Sequence, residues 1–169
     1  MSAEIVPLAE SHFEGLRCAL DIVAREKRYL AFIQAPPPEQ AYAFYRNILT
    51  NDLCHYVALL DGVVVGWCDI LSTHGEARAH IGILGIGLVP SARRRGIGQT
   101  LMQTTLAKAW AKGLSRIELT VRTDNLSAKV LYERMGFKTE GLNQRAFLVD
   151  GKFYDTYSMA LLRSNDAQL

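Results

Sequence analysis

The segment Arg93-Arg94-Arg95-Gly96-Ile97-Gly98 constrains the fold of this chain more than any other. It follows an apolar, strand-like run ending Gly87-Leu88-Val89-Pro90. After it, Leu101/Met102, Thr105/Leu106 and Ala109/Trp110 recur at helical spacing. A strand, a short basic glycine turn and a helix are thus consecutive. The first turn of a helix carries N–H groups without intrahelical partners and the positive end of the helix dipole. Glycines let the backbone close around an anion, and arginines add charge. The turn reads as a cradle for a diphosphate. No Gly-Lys-Ser/Thr follows, so it is not a P-loop. Gly82, Gly85 and Gly87 lie within a strand, in the reverse spacing of a dinucleotide fingerprint.

The rest of the chain alternates in period. Ala3 to Leu8 reads as a short strand, and Phe13, Leu16, Leu20 and Val23 place a helix over Glu10 to Lys27. Pro36-Pro37-Pro38 breaks the chain before a second helix from Glu39 to Leu49. His55 to Leu60 and Val63 to Ile70 flank Asp61-Gly62, a hairpin signal. Ala79 to Val89 reads as a glycine-rich strand, then a helix from Gly98 to Lys112 and a strand from Arg116 to Arg122. A last helix capped by Asp124 or Asn125 runs to Met135, and a closing hairpin turns at Asp150-Gly151. The order β-α-α-β-β-β-α-β-α-β-β predicts an α/β sheet with antiparallel and parallel pairs, and the last few residues read as frayed.

Charge and cysteine usage narrow the function classes. Nineteen Lys and Arg against 17 Asp and Glu leave a net charge of +2, so the chain has no bulk signature of a nucleic-acid binder. A nucleic-acid reading would rest on Arg93 to Arg95 alone. Cys18, Cys54 and Cys68 have no metal-like spacing and read as free, buried thiols of a reducing cytoplasm, with no metal expected. No run approaches the ~20 apolar residues of a membrane span, and Met1 to Glu10 lacks a signal pattern. At 169 residues the chain is most simply one domain.

Two stretches together carry a family resemblance. Gly87 through Gly98 resembles the acetyl-CoA motif of the GNAT superfamily of N-acetyltransferases, in which Gln or Arg, two residues, Gly, one residue, and Gly or Ala follow the fourth strand. Asn125-Leu126-Ser127-Ala128-Lys129-Val130-Leu131-Tyr132-Glu133-Arg134-Met135-Gly136-Phe137 is similar to the next motif, with its Asn, Ala, Leu-Tyr pair and terminal Gly-Phe. One helix and one strand separate the two, as in the family. The ending from Arg145 to Asp155 resembles, more weakly, a branch acting on small amines, amino acids or protein N-termini. A GNAT fold implies one mixed, mostly antiparallel sheet of about seven strands with about four helices, splayed between strands 4 and 5.

The resemblance also implies roles. Acetyl-CoA would be the cosubstrate, with Arg93, Arg94, Arg95, Gly96, Ile97, Gly98 and Gln99 around its diphosphate. Leu88 and Val89 would pair with the pantetheine arm, and Asn125, Ala128 and Tyr132 would line it. Spacings of three and four put these last three on one helix face. Alone, Asn125 also reads as an N-cap and Tyr132 as a core aromatic. Direct attack by an amine on the thioester would need no acyl-enzyme. A thiol of pKa ~8.5 is a stronger acid than a tyrosine of ~10, so Tyr132 better stabilises the departing sulfur by hydrogen bonding than by proton transfer. His80 and Glu26 are candidate bases, beside water. Glu26, Tyr29, Phe32 and Tyr154 are candidate acceptor-site residues, though each is also ordinary packing material. The expected acceptor is a small-molecule amine or amino acid. Alternatives are a protein N-terminus, including ribosomal-protein-type acetylation, or a non-catalytic acyl-CoA sensor. Neither nucleic acid nor membrane is an expected partner, and a homodimer follows from family habit.

Overall fold

The computed structural model describes residues 2–164. Seven strands form one sheet in the order β1-β2-β3-β4-β5-β7-β6. They are β1 (Glu4–Pro7), β2 (Cys54–Leu60), β3 (Val63–Ser72), β4 (Ile81–Leu88), β5 (Arg116–Arg122), β6 (Lys138–Val149) and β7 (Lys152–Leu162). Four α-helices accompany them: α1 (Phe13–Arg25), α2 (Pro38–Thr50), α3 (Ile97–Ala111) and α4 (Leu126–Arg134). Every ladder is antiparallel except β4 with β5. This is the element order and the mixed, mostly antiparallel sheet expected from the sequence.

The helices follow from their apolar spacing. Phe13, Leu16, Ala19 and Val23 form the buried stripe of α1, and Ala41, Tyr45 and Ile48 that of α2, which starts at Pro38, a position where its missing N–H costs nothing. The side chains of α3 that are buried include Ile97, Leu101, Met102, Leu106 and Ala109. α1 packs on β3 and β4 with α2 beside it, whereas α3 packs on β2, β3 and β4. Gly98 of α3 meets Leu88 and Ile86. On the opposite face Trp67 covers Gly87 and Asp69 covers Gly85.

Some sequence expectations shift. The strand expected from Ala79 begins at Ile81, because Glu76–Arg78 forms a 3-10 turn that carries Ala79 and His80 outside the ladder. The first helix is shorter at both ends: Glu10–His12 is a 3-10 turn, and Lys27 turns to a φ of 55°. Cys18 is exposed on α1 rather than buried, while Cys54 and Cys68 are buried. The expected fraying at the end of the chain concerns 165–169, outside the described residues. No described helix is long and apolar enough to cross a membrane.

The strand pair β4/β5 positions everything that follows. It is paired only at Ile81↔Arg116, Gly82↔Ile117 and Ile83↔Glu118. Beyond these, β4 stays with β3 as far as Gly66↔Leu88, and β5 stays with β7 as far as Arg122↔Thr156. Each strand is satisfied on its outer edge, so the two part and a gap opens toward their C-terminal ends. Close approach on the β3 side requires Gly87: a Cβ there would lie 2.3 Å from Trp67 Cη2. Gly87→Ala should therefore destabilise the fold by about 1–3 kcal/mol through overpacking, read from the urea midpoint. An unchanged midpoint would show that the indole can swing away without cost.

Candidate functional site

The gap between β4 and β5 is a cleft of about 510 Å³. Its wall on β4 is Ile86, Gly87 and Leu88, and Thr120 and Val121 line it from β5. In an antiparallel ladder a residue directs its N–H and C=O to the same side. Val89 donates its N–H to Val65 O at 2.9 Å, toward β3. His80 O accepts from the N–H groups of Ser115 and Arg116, toward β5. Alternation then turns the backbone groups of Leu84, Ile86 and Leu88 toward the gap. Apart from Leu88 O, which accepts from Arg93 Nε at 3.0 Å, these groups have no ladder partner on β5 and form a template for an extended, amide-bearing ligand.

The cleft ends on the basic glycine turn. Arg94 has a φ of 58° and Gly96, the N-cap of α3, a φ of 77°. These left-handed positions curl the chain just ahead of the first turn of α3, whose N–H groups have no intrahelical acceptors. A Cβ on Gly96 would meet nothing within 4 Å, so no protein atom fills the space beside it. Arg93, Arg94, Gly96, Gly98 and Gln99 line the cleft, and Arg134 adds a further cation to its wall. Arg95 and Ile97 line a second, smaller hollow of about 170 Å³ with Ala3 and Ile5.

The α4 wall carries Asn125, Ser127, Ala128, Leu131 and Tyr132. Asn125 is the N-cap, its Oδ1 accepting from the Ala128 N–H at 3.3 Å, so the structural reading of that residue holds alongside its place on the cleft. Tyr132 is buried, and its ring lies 6.0 Å from that of Phe137. Burial, with a smaller contribution from Cys68, pushes its phenol well above the usual tyrosine range. It remains a proton donor in a hydrogen bond and is a poor proton source.

Arg93 and Glu26 behave differently from their expected roles. Arg93 donates from Nη1 and Nη2 to the two Glu26 oxygens at 2.9 and 2.6 Å, and from Nε to Leu88 O at 3.0 Å. Its guanidinium also sits 4.8 Å from the Tyr29 ring centre. The guanidinium expected at the diphosphate and the carboxylate expected as a base thus neutralise each other, because their planar groups match as a bidentate pair. They clasp the end of α1 to the end of β4. Val89 also departs from expectation: it is buried, and its N–H is spent on β3.

Among the other candidates, Tyr29 lines the cleft, whereas Phe32 is exposed and Tyr154 is not on the cleft wall. The Tyr154 ring stacks 3.6 Å from the Arg122 guanidinium, which Asp124 and Lys27 O hold in place. His80 is exposed in the turn before β4, at the far end of that strand from Arg93. Sequence reasoning passed over Gly87, Thr120 and Ser127, which only the divergence of the strands brings to the cleft. It also passed over Asp69, although a lone carboxylate inside the apolar run Val63–Ile70 was a visible signal.

A sequence model described as the acetyltransferase (GNAT) family matches residues 20–137. The L-amino acid N-acetyltransferase AaaT of Escherichia coli is 30% identical over 96% of this chain and 100% of that protein. The N-alpha-acetyltransferase RimI of Mycobacterium tuberculosis is 36% identical over 69% of this chain and 72% of that protein. The structure of yncA from Salmonella typhimurium, solved with acetyl-CoA, shares the fold with a TM-score of 0.91 at 14% identity, covering 100% of this chain and 98% of that one.

The clasp has a measurable consequence. The two side chains retain 29% and 23% of their exposure, so solvent weakens the pair. A double-mutant cycle of Arg93→Ala and Glu26→Ala in urea should give a coupling of roughly 0.5–2 kcal/mol. Strict additivity would mean that the clasp does not hold in solution.

Proposed function

The chain belongs to the GNAT family of acetyltransferases, and we propose that it transfers the acetyl group of acetyl-CoA to the primary amine of an amino acid or another small molecule. The observation that carries this reading is the continuity of the cleft. Strand groups facing the gap, those of Ile86 and the N–H of Leu88 (whose carbonyl accepts from Arg93), lead directly to the helix N-terminus at Arg94–Gln99. Acetyl-CoA has the matching order, an amide-bearing arm followed by a diphosphate. The small-molecule acceptor follows from the likeness to AaaT over nearly the full chain.

The residues divide the work. N–H groups of the turn and of the first helical turn hold the diphosphate, with charge from Arg94. Ile86 and Leu88 hold the arm by backbone pairing, in place of Val89. Asn125, Ala128 and Tyr132 line the opposite wall. The Tyr132 hydroxyl makes no hydrogen bond to another described residue and is free to donate one to the departing sulfur. The amine attacks directly in a ternary complex, since no described cysteine is an activated nucleophile: burial pushes Cys54 and Cys68 up, and both burial and Glu14 push Cys18 up.

Acetyl-CoA with a panel of amino acids, polyamines, aminoglycosides and N-terminal peptides should release free thiol with an amino acid or small amine. Release with the peptides alone would move the acceptor to protein N-termini. Coenzyme binding without release from any amine would make the protein a sensor. Tyr132→Phe should lower kcat by roughly 10- to 1,000-fold while the coenzyme still binds. An unchanged kcat, with chemistry rate-limiting, would remove Tyr132 from the mechanism.

A further inference from the structure

Asp69 sits at the middle of the sheet, on the face that carries α1 and α2. Its strand neighbours are His55 on β2 and Gly85 on β4. Because Gly85 has no side chain, the Asp69 carboxylate reaches over β4: a Cβ on Gly85 would lie 3.2 Å from Asp69 Oδ1. Gly87, two residues on and about 7 Å along the strand, lines the cleft. Thr120 of β5 lines it as well.

Asp69 is unusual in what it lacks. Among the described residues it accepts no hydrogen bond. His55 Nε2 approaches only to 3.8 Å, and burial pushes that imidazole down to about 4, leaving it neutral at pH 7. Tyr45 from α2 faces the same region and stays protonated, pushed up to about 12 chiefly by burial, while Arg17 of α1 acts on Tyr45. β4 offers no charge at Gly85. The Asp69 side chain nevertheless keeps 16% of its exposure, so its oxygens remain reachable. Asp69 is not itself on the cleft wall, which begins two residues along β4 at Gly87, but a carboxylate drawn largely out of water and accepting from no described donor is open to a cationic donor that enters from there.

We propose that Asp69 is the proton acceptor for the amine substrate, supplied from β3 across Gly85. The proposal rests on the acetyl-transfer reading above. The substrate ammonium supplies the missing donor. Its proton passes to an Asp69 oxygen, and the freed lone pair forms the C–N bond to the thioester carbon. The C–S bond breaks with its electron pair on sulfur, which takes the second proton that the nitrogen sheds. Burial pushes Asp69 up to about 7, where an acceptor works near neutrality. The need is set by the substrate: an alkyl ammonium of pKa ~10.4 costs about 4.6 kcal/mol to deprotonate at pH 7.

The test is the pH dependence of kcat/KM for the best amine, in the wild-type protein and in Asp69→Asn, with acetyl-CoA affinity measured alongside. The wild-type value should rise to near pH 7 and then level. The variant should bind acetyl-CoA within about two-fold of the wild type. It should be roughly 100-fold slower at pH 7 and should climb with unit slope toward the amine's own pKa, closing the gap. A purely structural Asp69 would not move the profile in this way. A wild-type profile that itself climbs with unit slope to the amine's pKa overturns the proposal alone, even if the variant does not fold. Coincident profiles do the same. Thiol release from no amine by the wild type overturns the acetyl-transfer reading and the proposal with it.

Discussion

The early parting of β4 and β5 governs this structure. Three residue pairs join them, and each then remains with its outer neighbour. A sheet that parts in its middle exposes backbone donors and acceptors that cannot be left unpaired in a dry interior. The cost is bearable only where the gap opens to solvent or to a ligand that can act as a strand. The basic turn at one end of the gap adds a second requirement, negative charge. One ligand chemistry meets both.

The Arg93–Glu26 clasp ties the turn to the end of α1. It joins residues 67 apart in sequence and also engages Leu88 O and the Tyr29 ring. The C-terminal end of β4, the start of the turn and the end of α1 are thereby held at one point. An arginine of the basic turn can thus be structural. The turn keeps its charge from Arg94 and its donors from the backbone, and neither depends on Arg93.

Much of the architecture was legible because it is local. β5 has the expected bounds, Arg116–Arg122, since its alternation has no competing reading. The element order follows from periodicity and from breakers such as Asp61-Gly62. The shape of the basic turn was legible because a helix N-terminus and a left-handed glycine are short-range features. What escaped is tertiary. Nothing near Arg93 reveals that its partner is Glu26, and nothing near His80 reveals that a 3-10 turn withdraws it from β4. Val89 faces away from the gap through a parity that only the Val65 pairing sets. Asp69 matters because a glycine stands opposite it on another strand.

We propose that the turn and the strand gap together hold the coenzyme. A crystal structure with acetyl-CoA tests it most directly. The expected complex has the diphosphate on the N–H groups of Arg94–Gln99 and the pantetheine amides against Ile86 and Leu88, with the sulfur near Tyr132. A diphosphate bound elsewhere, or an arm that runs outside the gap while β4 and β5 stay parted, would contradict it.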